Sequence, residues 1–291
     1  MKASDFHPRI LEIFDGYVHG KLTKRDFISR ATRYAAAGVT GAMLFDQLKP
    51  DYAWAEQVPA DDPEIGTERV TFASPDGHGS MSGLLAWPTK REGPLSAVLV
   101  IHENRGLNPY IEDVVRRTAK AGFVALGPDA LSSLGGYPGN DDEGRKMQAD
   151  LDPEKLMEDF FAAFRWLRDD DRTTGKIGAV GFCYGGGVAN ALAVSQPDLA
   201  AAVPYYGRQP QAEEVPSIEA PLMLHYAGLD ERINEGWPDY EAALTEHQKR
   251  YSVHFYPDVH HGFHNDTTPR FDEAAASLSW ARTLDFFRRN L

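Results

Sequence analysis

Only one cysteine, Cys183, occurs in the 291 residues. That excludes a disulfide within the chain and a zinc site built from clustered cysteines. Positive charge is also scarce, with 30 Lys and Arg against 43 Asp and Glu and a formal charge of −13. Such a balance repels polyanions, so nucleic acid and anionic membrane surfaces are not expected partners. No uninterrupted apolar run reaches the ~18 residues that suggest a membrane-spanning helix. Internal repeats are missing as well.

What the chain has is apolar mass: 42% hydrophobic and 11% aromatic residues, ample for a core. Its length suits one large α/β domain carrying an extension. Residues 1–57 form the extension in this reading, and 58–291 the main domain. Phe6, Ile10, Ile13, Phe14 and Val18 fall at helical spacing. Thr23 is placed to cap a second helix that packs Phe27 and Ile28 inward. Lys24-Arg25, the Ala/Gly-rich stretch to Leu44 and Ala53-Trp54-Ala55 offer a second reading, a degenerate twin-arginine export signal with its cleavage site. The packed helical extension, and with it a cytoplasmic protein, is the reading adopted; the export signal would make it periplasmic. Val58–Gly66 reads as a linker.

From Thr67 the pattern is regular. Arg69–Ser74 and Ser80–Trp87 read as strands around the Pro75-Asp76-Gly77 turn. Leu95–His102 is a continuous apolar strand, as expected where both faces are covered. Further strands are expected at Phe123–Gly127, Ala201–Tyr206, Pro221–Tyr226 and Ser252–Tyr256. Helices are expected at Pro109–Ala121, Pro153–Arg168, Tyr240–Arg250 and Phe271–Arg289, and Leu131–Asp150 reads as a loop or cap. This alternation predicts a mostly parallel sheet with helices on both faces.

The chemistry gathers at Lys176–Gly187. An apolar strand runs into Gly181-Phe182-Cys183-Tyr184-Gly185, with Gly186 and Gly187 following and helical composition after them. Strand, glycine-flanked nucleophile and helix make the pattern of a nucleophile elbow. The glycines are needed because side chains would clash in so tight a turn. A helix N-terminus beside the sulfur favours thiolate. Without that frame Cys183 would read as an inert buried thiol.

An acid and then a histidine should follow, each on a loop after a strand. Asp230, after the strand ending near Tyr226, and His261, after Ser252–Tyr256, meet that order, with Asp258 and His260 as rivals. The histidine would take the thiol proton and pass it to the leaving group while the aspartate orients the ring. After the first long strand, His102-Glu103-Asn104-Arg105 stands where an oxyanion loop belongs. The backbone N–H groups of Asn104 and Tyr184 could hold the oxyanion, and Glu103 could hydrogen-bond the thiol.

These segments resemble the dienelactone hydrolase family of α/β-hydrolases. The resemblance rests on Val100-Ile101-His102-Glu103, Gly106-Leu107-Asn108, the Gly181–Gly186 elbow, Tyr205-Tyr206-Gly207, Ala227–Asp230 and His261-Gly262-Phe263. It covers about Thr67 to Leu291. It implies the α/β-hydrolase fold and a Cys183–His261–Asp230 triad, and it selects His261 over His260. It also implies that Glu103 holds the resting thiol, and it implies no metal or organic cofactor. The best-known members bind the substrate carboxylate with two arginines. The matching segments here, Leu131–Leu134 and His264-Asn265-Asp266, hold none, which leaves Arg105 and Arg208 as substitutes.

The expectation is thus a cysteine hydrolase of small-molecule esters or lactones, with room for a homo-oligomer. The alternative is a non-catalytic α/β-hydrolase-fold protein used for binding or assembly, its N-terminal helices serving as an interaction arm.

Overall fold

The computed structural model describes residues 2–36, 38–52 and 56–291. Three short helices come first: α1 (Pro8–Val18), α2 (Lys24–Ala31) and α3 (Gly41–Leu48). Thr23 begins α2 as expected. Its hydroxyl accepts from the Asp26 N–H while the Asp26 carboxylate accepts from the Thr23 N–H, a capping box. The three apolar faces bury one another in a small core of their own, where Phe14, Tyr17, Phe27 and Phe45 meet. Phe14 lies edge-on to Phe27 at 5.7 Å, and Tyr17 to Phe45 at 5.1 Å, the geometry aromatic quadrupoles prefer. The Ala53-Trp54-Ala55 segment lies outside the described residues.

The rest is built on an eight-stranded sheet. Its strands are β1 (Ile65–Ser74), β2 (Gly79–Pro88), β3 (Leu95–Ile101), β4 (Val124–Asp129), β5 (Thr173–Phe182), β6 (Ala201–Tyr205), β7 (Leu222–Ala227) and β8 (Tyr251–Tyr256). Their spatial order is β1-β2-β4-β3-β5-β6-β7-β8. β2 pairs antiparallel with β1 and β4, and every later pair is parallel. Helices α4 (Pro109–Lys120), α5 (Asp141–Ala149), α6 (Pro153–Arg168), α7 (Tyr184–Ser195), α8 (Glu231–Asn234), α9 (Trp237–Glu246) and α10 (Glu273–Asn290) make the connections.

The period-2 alternation of strands divides the core in two. On β3, Ala97, Leu99 and Ile101 join a cluster with Phe160 and Phe164 of α6, Leu192 of α7 and Tyr240 of α9. Val98 and Val100 point the other way, towards Ile111 and Val114 of α4 and Phe287 of α10. This is the doubly covered, mostly parallel sheet the sequence leads one to expect. All parallel strands end at the same edge, and loops at that edge carry the candidate residues.

Two stretches differ from expectation. The segment expected to be a loop or cap, Leu131–Asp150, contains a helix, α5, whose N-cap Asn140 accepts from the Asp142 and Glu143 N–H groups. Three acids in its first turn suit the positive end of the helix dipole and outweigh the polar, glycine-rich composition. The expected linker Val58–Gly66 is fixed at both ends. The Val58 N–H donates to Asp113 at 2.9 Å, its carbonyl accepts from Arg116 at 2.6 Å, and Ile65 already belongs to β1. No helix among the described residues is long and apolar enough to cross a membrane.

Candidate active site

β5 and α7 are joined by a single residue, Cys183, held at φ 56° and ψ −112°. For a residue with a Cβ this backbone is strained, and such strain gathers at functional sites. Close packing imposes it. A Cβ on Gly181 would land on the Gly185 carbonyl, and one on Gly185 would strike the carbonyl of Ile101 at the end of β3. The Cys183 N–H donates to the Tyr205 carbonyl at 3.1 Å, and its own carbonyl accepts from Gly186 at 3.0 Å. The turn is thereby fixed from both sides, with Sγ over the sheet edge and beside the first turn of α7.

The structure brings Asp230 and His261 to the same place. Asp230 lies on the loop after β7, and His261 follows β8. The Asp230 carboxylate accepts from His261 Nδ1 at 2.5 Å, both side chains being buried. That bond fixes the tautomer and leaves Nε2, which is buried and has no hydrogen-bond partner among the described residues. A ring nitrogen of His261, Cys183 Sγ and a ring nitrogen of His19 all lie within 4.8 Å of one another. His260 is half-buried and lines an outer groove.

His19 was not foreseen from the sequence. It sits just past α1, and its Nε2 stands 3.5 Å from Cys183 Sγ. Arg232 was not foreseen either: its Nη2 lies 3.1 Å from His19 Nε2 and 3.4 Å from His261 Nδ1. The third unforeseen residue, Arg270, is buried, with Nη1 3.4 Å from Asp15. Nothing in sequence spacing singles out these three, because each meets the site across a tertiary contact.

Burial alone would push the Cys183 thiol up. The His261 charge beside it and the hydrogen bond from His19 outweigh burial and bring it down to about 5. Burial likewise pulls His261 down, but the facing sulfur and Asp230 raise it to about 10. Asp230 and Asp15 both lie below the ordinary carboxylate range. Burial opposes this in each, and it is overcome at Asp230 chiefly by His261 and at Asp15 chiefly by His19 and His261. The site therefore favours a thiolate–imidazolium pair.

The remaining sequence candidates fall differently. Glu103 is buried, but among the described residues it makes no hydrogen bond to the thiol. Its carboxylate accepts from Asn265 at 3.0 Å and lies 3.7 Å from Arg105. In the structure a guanidinium and an amide satisfy the carboxylate, and the imidazoles of His19 and His261 lie beside the sulfur. Arg105, the expected substrate-binding candidate, has acidic neighbours on two sides. It is buried between Glu103 and Asp141, donating to the latter at 2.9 Å, so its charge is already matched.

Asn104 donates its side-chain amide to the Val18 carbonyl at 2.9 Å. The backbone N–H groups of Asn104 and Tyr184 donate to no protein acceptor among the described residues. Arg208 is exposed at the rim of a cleft of about 510 Å³, which Phe161, Cys183, Tyr184, Val188 and Pro210 also line. It has no ion-pair partner among the described residues. A second groove of about 670 Å³ runs between α1 and the loops after β7 and β8, past Asp15, Arg232 and His261.

Among the described residues, His19, Cys183 and His261 are the one set of donors close enough to suggest a metal. The Arg232 guanidinium against His19 opposes a cation there, and they are not assigned as ligands.

Comparison with known proteins agrees with this architecture. The model described as "Dienelactone hydrolase family" matches residues 81–291, and one described as "YqhI-like" matches residues 1–37. The chain is 61% identical to the "Putative hydrolase fragment YghX" of Escherichia coli over 115 residues, 40% of this chain and 98% of that one. It is 32% identical to the "Putative carboxymethylenebutenolidase" of Saccharolobus solfataricus over 260 residues, 76% of this chain and 98% of that one. Among solved structures, the "Putative Dienelactone Hydrolase" of Klebsiella pneumoniae superposes with TM-score 0.67 at 24% identity, covering 77% of this chain and 98% of its own.

Proposed function

Since the chain belongs to the dienelactone hydrolase family and is a hydrolase of esters or lactones, we propose that it works through Cys183 as nucleophile, His261 as general base and acid, and Asp230 as the residue orienting His261. The observation carrying this reading is the juxtaposition at the sheet edge. A cysteine held at positive φ before a helix stands beside a buried imidazole whose Nδ1 is held by a carboxylate at 2.5 Å.

In this mechanism the thiolate bonds to the substrate carbonyl carbon, and the carbonyl π pair moves onto oxygen. The free N–H groups of Asn104 and Tyr184 receive that oxyanion. As the tetrahedral intermediate collapses, the C–O bond to the leaving group breaks and His261 Nε2 gives its proton to the departing oxygen. Water then attacks the thioester while His261 accepts its proton, and the carboxylic acid leaves as thiolate re-forms. Substrates reach Sγ through the cleft beside α7, whose mixed apolar walls and single rim cation at Arg208 suit small esters and lactones.

Stoichiometric alkylation with iodoacetamide tests the nucleophile. Label on Cys183 and loss of hydrolysis of a short chromogenic ester should coincide, and Cys183→Ala should give no burst of product. Full activity after complete labelling would refute the assignment.

A further inference from the structure

The N-terminal helices reach Cys183 through His19. His19 follows the last turn of α1, and its Nδ1, like that of His261, faces an aspartate. Nδ1 lies 2.9 Å from the Asp15 backbone carbonyl and 3.2 Å from Asp15 Oδ1. With Nδ1 committed as donor, Nε2 is the atom that faces Cys183 Sγ at 3.5 Å. Asp15 is in turn tied to the main domain by Arg270 at 3.4 Å and Arg232 at 3.8 Å. His19 and His261 pack edge to face, ring centroids 4.8 Å apart. One thiol is thus flanked by two carboxylate-held imidazoles, Asp230–His261 from the main domain and Asp15–His19 from the extension.

We propose that His19 is a second catalytic imidazole that holds the Cys183 thiolate, with Asp15 as its positioning residue, so that the N-terminal helices are a working part of the active site. The position near the thiol that the family resemblance assigned to Glu103 is filled by His19, while Glu103 turns to Arg105 and Asn265. The proposal rests on the reading of Cys183 as the nucleophile.

The protons balance as follows. The thiol proton passes from Sγ to Nε2 of His261. His19 takes a proton from solvent onto Nε2, keeps it, and through it donates a hydrogen bond to the thiolate. Once sulfur is acylated it carries no charge, so His19 returns that proton to solvent and its Nε2 accepts from Arg232, already 3.1 Å away. Several groups bear on His19. Burial and the His261 charge oppose its protonation, and Arg232 adds a like charge. Asp15 and the thiolate favour it, and the net direction for His19 is upward. Beside Cys183 from the main domain stands His261, and Tyr206 has Cys183, Glu103 and Arg270 as its charged neighbours.

The test uses full-length protein and reads alkylation of Cys183 by iodoacetamide against pH, with no substrate. His19→Ala and His19→Gln should both alkylate about tenfold more slowly near pH 6, the size expected if the thiol rises from about 5 to ~7. Free imidazole should restore part of the rate in His19→Ala and leave wild type unchanged. Circular dichroism and melting temperature check that both variants fold. A profile superimposable on wild type in either variant overturns the proposal. So does a slowed His19→Ala that imidazole does not rescue, since the loss would then lie in helix docking rather than in the imidazole. If wild type hydrolyses no ester or lactone, the proposed function fails while the alkylation result still decides the role of His19.

Discussion

The side-chain amide of Asn104 donates to the carbonyl of Val18 at 2.9 Å, across 86 residues of sequence. The loop whose backbone is proposed to receive the oxyanion is therefore fastened to the C-terminal end of the first helix. Helix ends leave carbonyls without intrahelical partners, and this one finds its donor in the main domain. The entry to the site and the N-terminal helices share a hydrogen bond, so their stabilities are coupled.

Asn104→Ala should cost about 1 kcal/mol, the usual worth of one such bond, and lower the melting temperature by about 2 °C. The backbone N–H survives the change, so kcat should fall by less than about tenfold. Thermal unfolding and steady-state kinetics on the same preparation check both numbers. A loss of several hundredfold with unchanged stability would give the Asn104 side chain a direct catalytic role.

His261→Ala should lower kcat on the order of 10³-fold or more, because it removes transition-state proton transfer rather than binding. His260→Ala should cost far less, since its ring is half-buried beside the outer groove and touches neither Asp230 nor the thiol. Side-by-side kinetics on one ester decide it, and the reverse ranking would move the base to His260.

The pH profile follows from the two displaced groups. Cys183 lies below its ordinary value, so the thiolate is present above about 5 and lost as pH falls through that point. His261 lies above its ordinary value, so its proton is retained up to about 10 and lost as pH rises through it. The ion pair thus exists between these limits, and kcat/KM should be flat across neutrality with limbs near each end. An unperturbed pair would instead give limbs near ~6.5 and ~8.5. A single rise centred near 8.5 would mean that the resting sulfur is a thiol.

Glu103→Gln should leave the alkylation profile of Cys183 nearly unchanged, because the carboxylate faces Arg105 and Asn265 rather than sulfur. Its effect should be on stability. Arg105 loses one of two buried counter-charges but keeps Asp141 at 2.9 Å, so a cost of about 1–3 kcal/mol is expected. Denaturant unfolding and iodoacetamide kinetics separate the two effects. A marked shift of the alkylation curve with little change in stability would return Glu103 to the thiol.

The sequence by itself determined what local chain geometry and patterning control. The glycines around Cys183 can be read because the turn demands them over five consecutive residues. Asp230 and His261 can be read because each follows a strand whose apolar run marks its end, and parallel strands deliver those ends to one edge. The Thr23 cap and the apolar spacing of α1 are equally local. Tertiary structure decided the rest. Whether a buried Glu103 meets a thiol or a guanidinium depends on Asn265, 162 residues away. Arg105 reads as a free cation until α5 brings Asp141 beside it. His19 is hidden most completely: it lies 164 residues before Cys183, at the end of a helix whose pattern records only which face is apolar. A side chain's neighbour across such a distance is set by how two separately packed cores dock. Spacing along the chain carries no record of that docking, so the second imidazole at the thiol becomes visible only in three dimensions.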